Sequence, residues 1–300
     1  MIRPTVVVIG DVMTDVTIHS DADLTRDLAR GSDTAADIRL GGGGAGGNVA
    51  AWLAFLGVQV GLVAAVGDDD AGDLALAELQ RRGVTVHAVR DPTRPTGTVV
   101  ALVDARGERT MITDRGANVA LSPRDVPMSW FGPGARLHLS GYTLFTLPAR
   151  SAALAALGQA ASCGMGISVD PASWAPLRQA QPARFLAWTA AADLCLPNAD
   201  EARLLAGTDD LDVAARRLGA RYGQAIITAG ADGAVWSDGR AVLREPAGTR
   251  ADVLTGIGAG DAFTAGYLAA LHRGATPRDA LAAAVDVAGS ALQRPGARPD

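Results

Sequence analysis

"TGIGAGDAFTAG", residues 255–266, places three glycines and an aspartate directly ahead of a run that reads as a helix. Glycine weakens helices and strands alike, so such a cluster needs a local reason. Backbone N–H groups come close to a ligand only where no side chain stands in the way. A helix N-terminus adds unpaired N–H donors and a partial positive charge. A glycine-rich turn feeding a helix is therefore a natural anion site, most often for phosphate. Phe263, Tyr267 and Leu271 recur at four-residue spacing and predict a helix over Ala262–Leu271. Asp261 then falls at the N-cap or in the first turn, where it either caps the helix or carries chemistry.

Composition narrows the choices. A chain of 300 residues, 48% hydrophobic and 20% charged, is long enough to bury a full core. A formal net charge of −5, with no basic cluster, argues against nucleic acid or an anionic membrane as the main partner. No apolar run approaches the roughly 18–20 residues of a membrane helix. The sequence enters "TVVVIGD" at once, with no signal peptide pattern, and Cys163 and Cys195 carry no CxxC spacing. Together these predict a cytoplasmic location and no zinc site. His19, His87, His138 and His272 form no metal pattern and read as surface or packing residues. All 27 basic residues are arginines. The absence of lysine removes the P-loop, the protein-kinase strand lysine and Schiff-base chemistry. Any phosphate chemistry must use backbone amides, arginine and a metal ion.

Strands and helices alternate along most of the chain. "TVVVIGD" (5–11) is a buried strand that ends at Gly10-Asp11, on the same rim as the later strand ends, and "DVTIHS" continues extended. "RLGGGGAGGNVAAWLAFLG" (39–57) is a second glycine cluster opening an apolar helix. Later strands end at Ser140-Gly141, Asp170-Pro171, Pro197-Asn198 and Ala229-Gly230, and two alanine-rich helices at 261–272 and 277–292 close the order. This predicts an α/β fold with a mainly parallel sheet and ligands at the carboxyl ends of its strands. "TGTVVALVDARGERTMITDRG" (96–116) breaks the rhythm with a hairpin signature. With the piece near 12–19 it predicts a small β-sheet covering one end of the main sheet. The dinucleotide fingerprint does not fit, because only one glycine follows the first strand.

These motifs resemble the ribokinase-like (PfkB-type) carbohydrate kinases. "GGAGGNVAAWLAFLG" (43–57) is similar to their N-terminal signature and "GIGAGDAFTAGYL" (256–268) to their C-terminal one. "GDVMTD", "VGDD", "GERT", "PNADE" and "TAGADGAV" follow in the family's order, so the resemblance covers nearly the whole chain. It implies a single three-layer α/β/α domain over 1–300, with a β-sheet lid from segments near 12–19, 33–42 and 96–114. It also implies transfer of the γ-phosphoryl group of Mg-ATP to a hydroxyl of a small carbohydrate. The backbone of Gly258, Ala259 and Gly260 would form the anion hole and Asp261 would be the general base. Asp15, Gly44 and Asn48 would bind substrate, with a helix cap as the plain alternative for Asn48. Arg115 is a candidate for substrate or phosphate contact, against a plain surface arginine. Asn198, Thr228 and Gly230 would contact the nucleotide, and Val285–Gly289 would border the adenine. Glu201 would lie near magnesium, against the alternative of a solvated acid in a capping box.

One departure concerns potassium. The family's Asp-Thr pair before the loop is Thr255-Gly256 here, with Asp252 three residues earlier. That puts activation by a monovalent cation (K+) in question. Two other readings stay open beside the sugar kinase. One is a nucleoside kinase of the same fold, for adenosine or pseudouridine, with Tyr142, Phe145 and Trp174 as stacking candidates. The other is a non-catalytic sugar- or nucleotide-binding regulator. An exposed edge on the lid sheet would favour a homodimer.

Overall fold

The computed structural model describes residues 3–20, 29–103, 109–248, 256–294 and 296–299. Thr255, Asp252 and the "DARGE" turn at 104–108 lie outside the described residues.

The chain runs β1 (Val6–Ile9), β2 (Met13–His19), β3 (Asp37–Gly43), α1 (Ala45–Phe55), β4 (Val60–Gly67), α2 (Asp70–Arg81) and β5 (Thr85–Asp91). Then come β6 (Gly97–Val103), β7 (Arg109–Asp114), β8 (Arg136–Ser140), α3 (Ala149–Ser162), β9 (Gly166–Asp170), α4 (Trp174–Ala180) and α5 (Pro182–Trp188). β10 (Leu194–Cys195), α6 (Ala199–Ala206), α7 (Leu211–Tyr222), β11 (Gln224–Thr228), β12 (Ala234–Ser237) and β13 (Val242–Glu245) follow. The described residues close on α8 (Ala259–His272) and α9 (Pro277–Ala291).

Among the described residues nine strands form one sheet in the order β13-β12-β11-β10-β9-β8-β1-β4-β5. Its pairs are parallel except β11–β12 and β12–β13. β1 is apolar throughout because both sheet faces are covered, as parallel strands require. Val6 and Val8 point into a core with Trp52, α8 and α9, while Val7 and Ile9 point into the opposite core with α3 and α7. This is the α/β/α sandwich of the ribokinase-like fold. His138, on β8, is buried beside Ser168 Oγ at 3.1 Å, and burial pushes its pKa down to about 3. It is a packing residue.

β1 has β4 on one side and β8 on the other, so the chain order reverses at its end. Such a reversal opens a crevice at the carboxyl ends of the strands. Only Gly10–Val12 separate β1 from β2, so a second sheet of order β3-β2-β6-β7 hangs directly over that crevice. β2 pairs antiparallel with β3 and parallel with β6, and β6 pairs antiparallel with β7.

Candidate active site

The start of α8 is set by Gly258, whose φ of 77° is left-handed and costs glycine little. Among the described residues no side chain caps this helix. Asp261 sits in its first turn, but its carboxylate turns to another element: Asn48 Nδ2 on α1 donates to Asp261 Oδ2 at 2.8 Å. The first N–H groups of α8 are left without intrahelical partners beside that carboxylate. Asp261 is partly exposed, yet protein surrounds it on its other sides, and its pKa is pushed up to about 7. Burial is the main cause; the Asn48 bond pulls the other way, the nearby Asp170 and Asp15 carboxylates add to the rise, and Arg298 opposes it.

Asn48 is not a helix cap. It is buried one turn into α1, and Gly44 holds the cap position with φ 86°. Asp15, on β2, leans over Gly43 so closely that a Cβ at that position would overlap its carboxylate. Burial raises the Asp15 pKa to about 6, with Arg298 opposing. Asp15, Thr17, His19, Gly41, Gly42, Ile257 and Ala297 line a cavity of about 450 Å³ between the small sheet and the loop that leads into α8.

Arg115 is not a free surface arginine. Its Nη2 donates to Asp11 Oδ1 at 2.6 Å, and its guanidinium lies 4.6 Å from the Tyr142 ring centroid. Asp11 lies two residues past the end of β1 and is buried; burial raises its pKa against the pull of Arg115. Among the described residues, Asp11 Oδ2, Arg115 Nε and Ser140 Oγ are buried without a protein hydrogen-bond partner. Buried polar atoms of this kind need partners. Three of them on one rim are suited to a ligand rich in hydroxyl groups.

Asn198 caps α6, and Glu201 closes the capping box: Asn198 N and Nδ2 donate to Glu201 Oε2 and Oε1 at 2.9 and 2.7 Å. Glu201 is 1% exposed, so it is not a solvated acid. Burial raises its pKa, and the charge of Asp170 at the end of β9 adds to the rise. Asp170 is likewise raised by burial. Thr228 bridges to Asn198 in parallel register, and the left-handed Gly230, φ 57°, turns the chain just beyond β11. Val285–Gly289 lies on α9. Of the aromatic candidates, Tyr142 and Phe145 meet edge to face at 6.3 Å, close to the Asp11–Arg115 pair. Trp174 is 44% exposed and stacks on Arg178.

The motif reading did not find Arg298. Its Nε donates to Asn48 Oδ1 at 3.1 Å, Nη2 to Gly43 O at 2.6 Å, and Nη1 pairs with Glu78. No spacing rule marks an arginine 37 positions beyond Asp261. Asp11 and Asp170 stood only as residues on the strand-end rim, and the signal for both was the strand end itself.

A profile of the pfkB family of carbohydrate kinases matches residues 3–300. A fructokinase of Klebsiella pneumoniae is 35% identical over 254 residues, 82% of each chain. Among solved structures, a probable sugar kinase of Rhizobium etli CFN 42 superposes with a TM-score of 0.90 at 26% identity, covering 100% of this chain and 96% of its own. Aminoimidazole riboside kinase of Salmonella enterica, solved with aminoimidazole riboside and an ATP analog, gives 0.82 at 27% identity over 97% and 94%. With the two signatures set on one crevice, the chain belongs to the pfkB family of carbohydrate kinases, phosphotransferases that use ATP and an alcohol acceptor.

Proposed function

We propose that the protein moves the γ-phosphoryl group of Mg-ATP onto a primary alcohol of a small carbohydrate, with Asp261 as general base. The observation that carries this reading is the Asp261 carboxylate, fixed by Asn48 at the uncapped start of α8. Asp261 takes the proton of the acceptor hydroxyl as its oxygen bonds to phosphorus and the bond to ADP breaks. The backbone N–H groups of Gly258, Ala259 and Gly260 hold the negative charge that builds on the phosphoryl oxygens. Asp15 accepts hydrogen bonds from sugar hydroxyls, Gly44 and Asn48 form the floor, and Arg115 orients substrate through Asp11. Asn198, Thr228 and Gly230 hold the nucleotide, with Val285–Gly289 along the adenine. The small sheet acts as the lid and keeps water from the transferring group.

Magnesium fits this site. Among the described residues no three His, Cys, Asp or Glu side chains converge to cage a metal. Glu201 and Asp170, however, are close carboxylates with raised pKa values, and a hydrated divalent cation relieves such a pair. When bound, the cation would neutralise phosphate charge, with Glu201 holding it through water. The lid also carries exposed Ile38, Leu40, Met111 and Ile112, and we propose that a second copy covers them in a homodimer. Sedimentation at micromolar concentration checks this, and a monomer would sink it.

The test is ADP release across a panel of sugars and nucleosides, with Asp261→Ala beside the wild type, with and without potassium. Turnover lost in the variant supports the mechanism; no turnover on any compound removes it. Asp15→Asn is expected to raise the acceptor KM by about 10- to 100-fold, the worth of a hydrogen bond to a charged group, with little change in the KM for ATP. A specific feature favours a nucleoside as second reading. Tyr142, Phe145 and Trp188 line a neighbouring cavity of about 570 Å³ that could stack a base. Preference for nucleosides in the panel would select it.

A further inference from the structure

The segment 296–299 is strapped across the site. Trp52 Nε1, in the core, donates to Ala297 O at 3.0 Å, and Arg82 Nη1 bonds Pro299 O. Between these anchors the Arg298 side chain turns inward and is 5% exposed. It reaches three elements at once: Gly43 O at the end of β3, Asn48 Oδ1 on α1, and Glu78 on α2. The contact with Asn48 carries the most information. A carboxamide can present either its oxygen or its NH2 group in a given direction. Arginine has donors and no acceptor. Facing Nε of Arg298, Asn48 must present Oδ1, and its Nδ2 must then point the other way, to Asp261 Oδ2.

We propose that Arg298 is a positioning residue for phosphoryl transfer: it locks the Asn48 amide so that Asn48 donates to one oxygen of Asp261 and leaves the other for the acceptor hydroxyl. This rests on Asp261 being the base. The buried guanidinium is satisfied by three acceptors, so it holds one geometry. Its positive charge also reaches Asp261, which otherwise faces Asp170 from β9 and Asp15 from β2; no other acid lies in the first turn of α8. Arg298 thus links the strap, the lid strand β3 and the base through one hydrogen-bonded line.

Arg298→Met keeps the apolar stem, and the strap keeps its Trp52 and Arg82 anchors. Glu78 keeps Arg82 at 2.9 Å. The variant is expected to lose about 10- to 100-fold in kcat, the cost of a base displaced by a fraction of an ångström to one ångström, with the KM for ATP unchanged. The acid limb of its pH–rate profile is expected to move up by about half a unit or more, as removal of a nearby opposite charge dictates. Arg298→Lys is expected to restore the position of that limb but not kcat, because an ammonium carries the charge without the planar fork. In a double-mutant cycle with Asn48→Ala, the two losses should overlap rather than add.

A readout independent of turnover is the pH titration of the Asp261 13Cγ resonance in aspartate-labelled protein, assigned with Asp261→Asn. An upward move of the midpoint in Arg298→Met supports the proposal even if no acceptor in the panel is turned over, a result that would count against the kinase reading alone. An unchanged midpoint overturns the proposal. So does a fall in melting temperature with kcat and the acid limb as in the wild type, since that is a structural role only.

Discussion

Asp261→Asn is expected to lower kcat by about 10³-fold, within the range a general base contributes, and at the same time to make the protein more stable at pH 8. The two effects have one cause. In the folded protein the carboxyl titrates at about 7, against an ordinary value of 3.8, because it is crowded by protein and faces Asp170 and Asp15. A carboxyl with a raised pKa binds its proton more tightly in the folded state. The contribution of this group to folding stability is therefore full below about pH 4 and is lost as pH rises through about 7. At pH 8 the native chain carries an ion its surroundings disfavour. Asparagine has nearly the same shape and no charge, so it removes that cost. The full shift would correspond to about 4 kcal/mol at 1.36 kcal/mol per unit. Asparagine only approximates the protonated carboxyl in shape and hydrogen bonding, so we expect a gain of at least about 1–2 kcal/mol, or roughly 2–6 °C in Tm. The gain should shrink to about a third at pH 5, where the wild-type carboxyl is largely protonated in the native state. The wild-type acid limb of kcat/KM should lie near pH 7. Thermal melts at pH 8 and pH 5 beside the pH–rate profile measure both halves. A variant no more stable at pH 8 than the wild type would mean that the carboxyl is well solvated and not poised as a base.

Much of this was legible in the sequence because it depends on local rules. An all-apolar "VVVI" reads as a buried strand wherever it falls, and glycines ahead of an apolar run read as a helix start. Strand ends mark the crevice, so Asp11, Ser140 and Asp170 could be placed on its rim. Partnership was not legible. Sequence spacing shows that Asp261 lies in a first turn; it cannot show that its carboxylate turns away from its own helix toward Asn48, 213 residues earlier. Nor can it show that Glu201 is buried rather than solvated, because both states satisfy the same capping box. Arg298 lies at the far extreme. Its role depends on a strap held by a tryptophan indole 245 residues earlier in the chain, and no period or motif encodes that contact. Arg115 is intermediate. An arginine after a strand of the small sheet could reach solvent or the site, and the buried Asp11 carboxylate draws it inward.

Gly258→Ala is the second large effect, and its pair Gly260→Ala separates fold from chemistry within one loop. Gly258 has φ 77°, where an alanine is strained by about 1–2 kcal/mol. Its Cβ would also stand 2.6 Å from Ala297 O and 2.7 Å from Ala297 Cα. Neither neighbour yields easily. Ala297 O is held by the Trp52 indole, and Trp52 is among the largest fully buried side chains. The start of α8 must move instead, and the backbone N–H groups move with it. An anion hole displaced in this way is expected to lose about 10²–10³-fold in kcat, with a fall of several degrees in Tm. Gly260 lies in the first turn of α8, is exposed, and among the described residues has no atom within 4 Å of the place a Cβ would take. Alanine there favours the helix by up to about 1 kcal/mol, so Tm should hold or rise slightly. If the transferring phosphoryl group lies against this turn, the added methyl crowds it, and kcat should fall although the protein is no less stable. Loss of Tm and kcat together at 258, and of kcat alone at 260, is the pattern that a backbone anion hole requires. Full activity in Gly260→Ala would place the phosphoryl group away from this turn and remove the role given to its N–H groups.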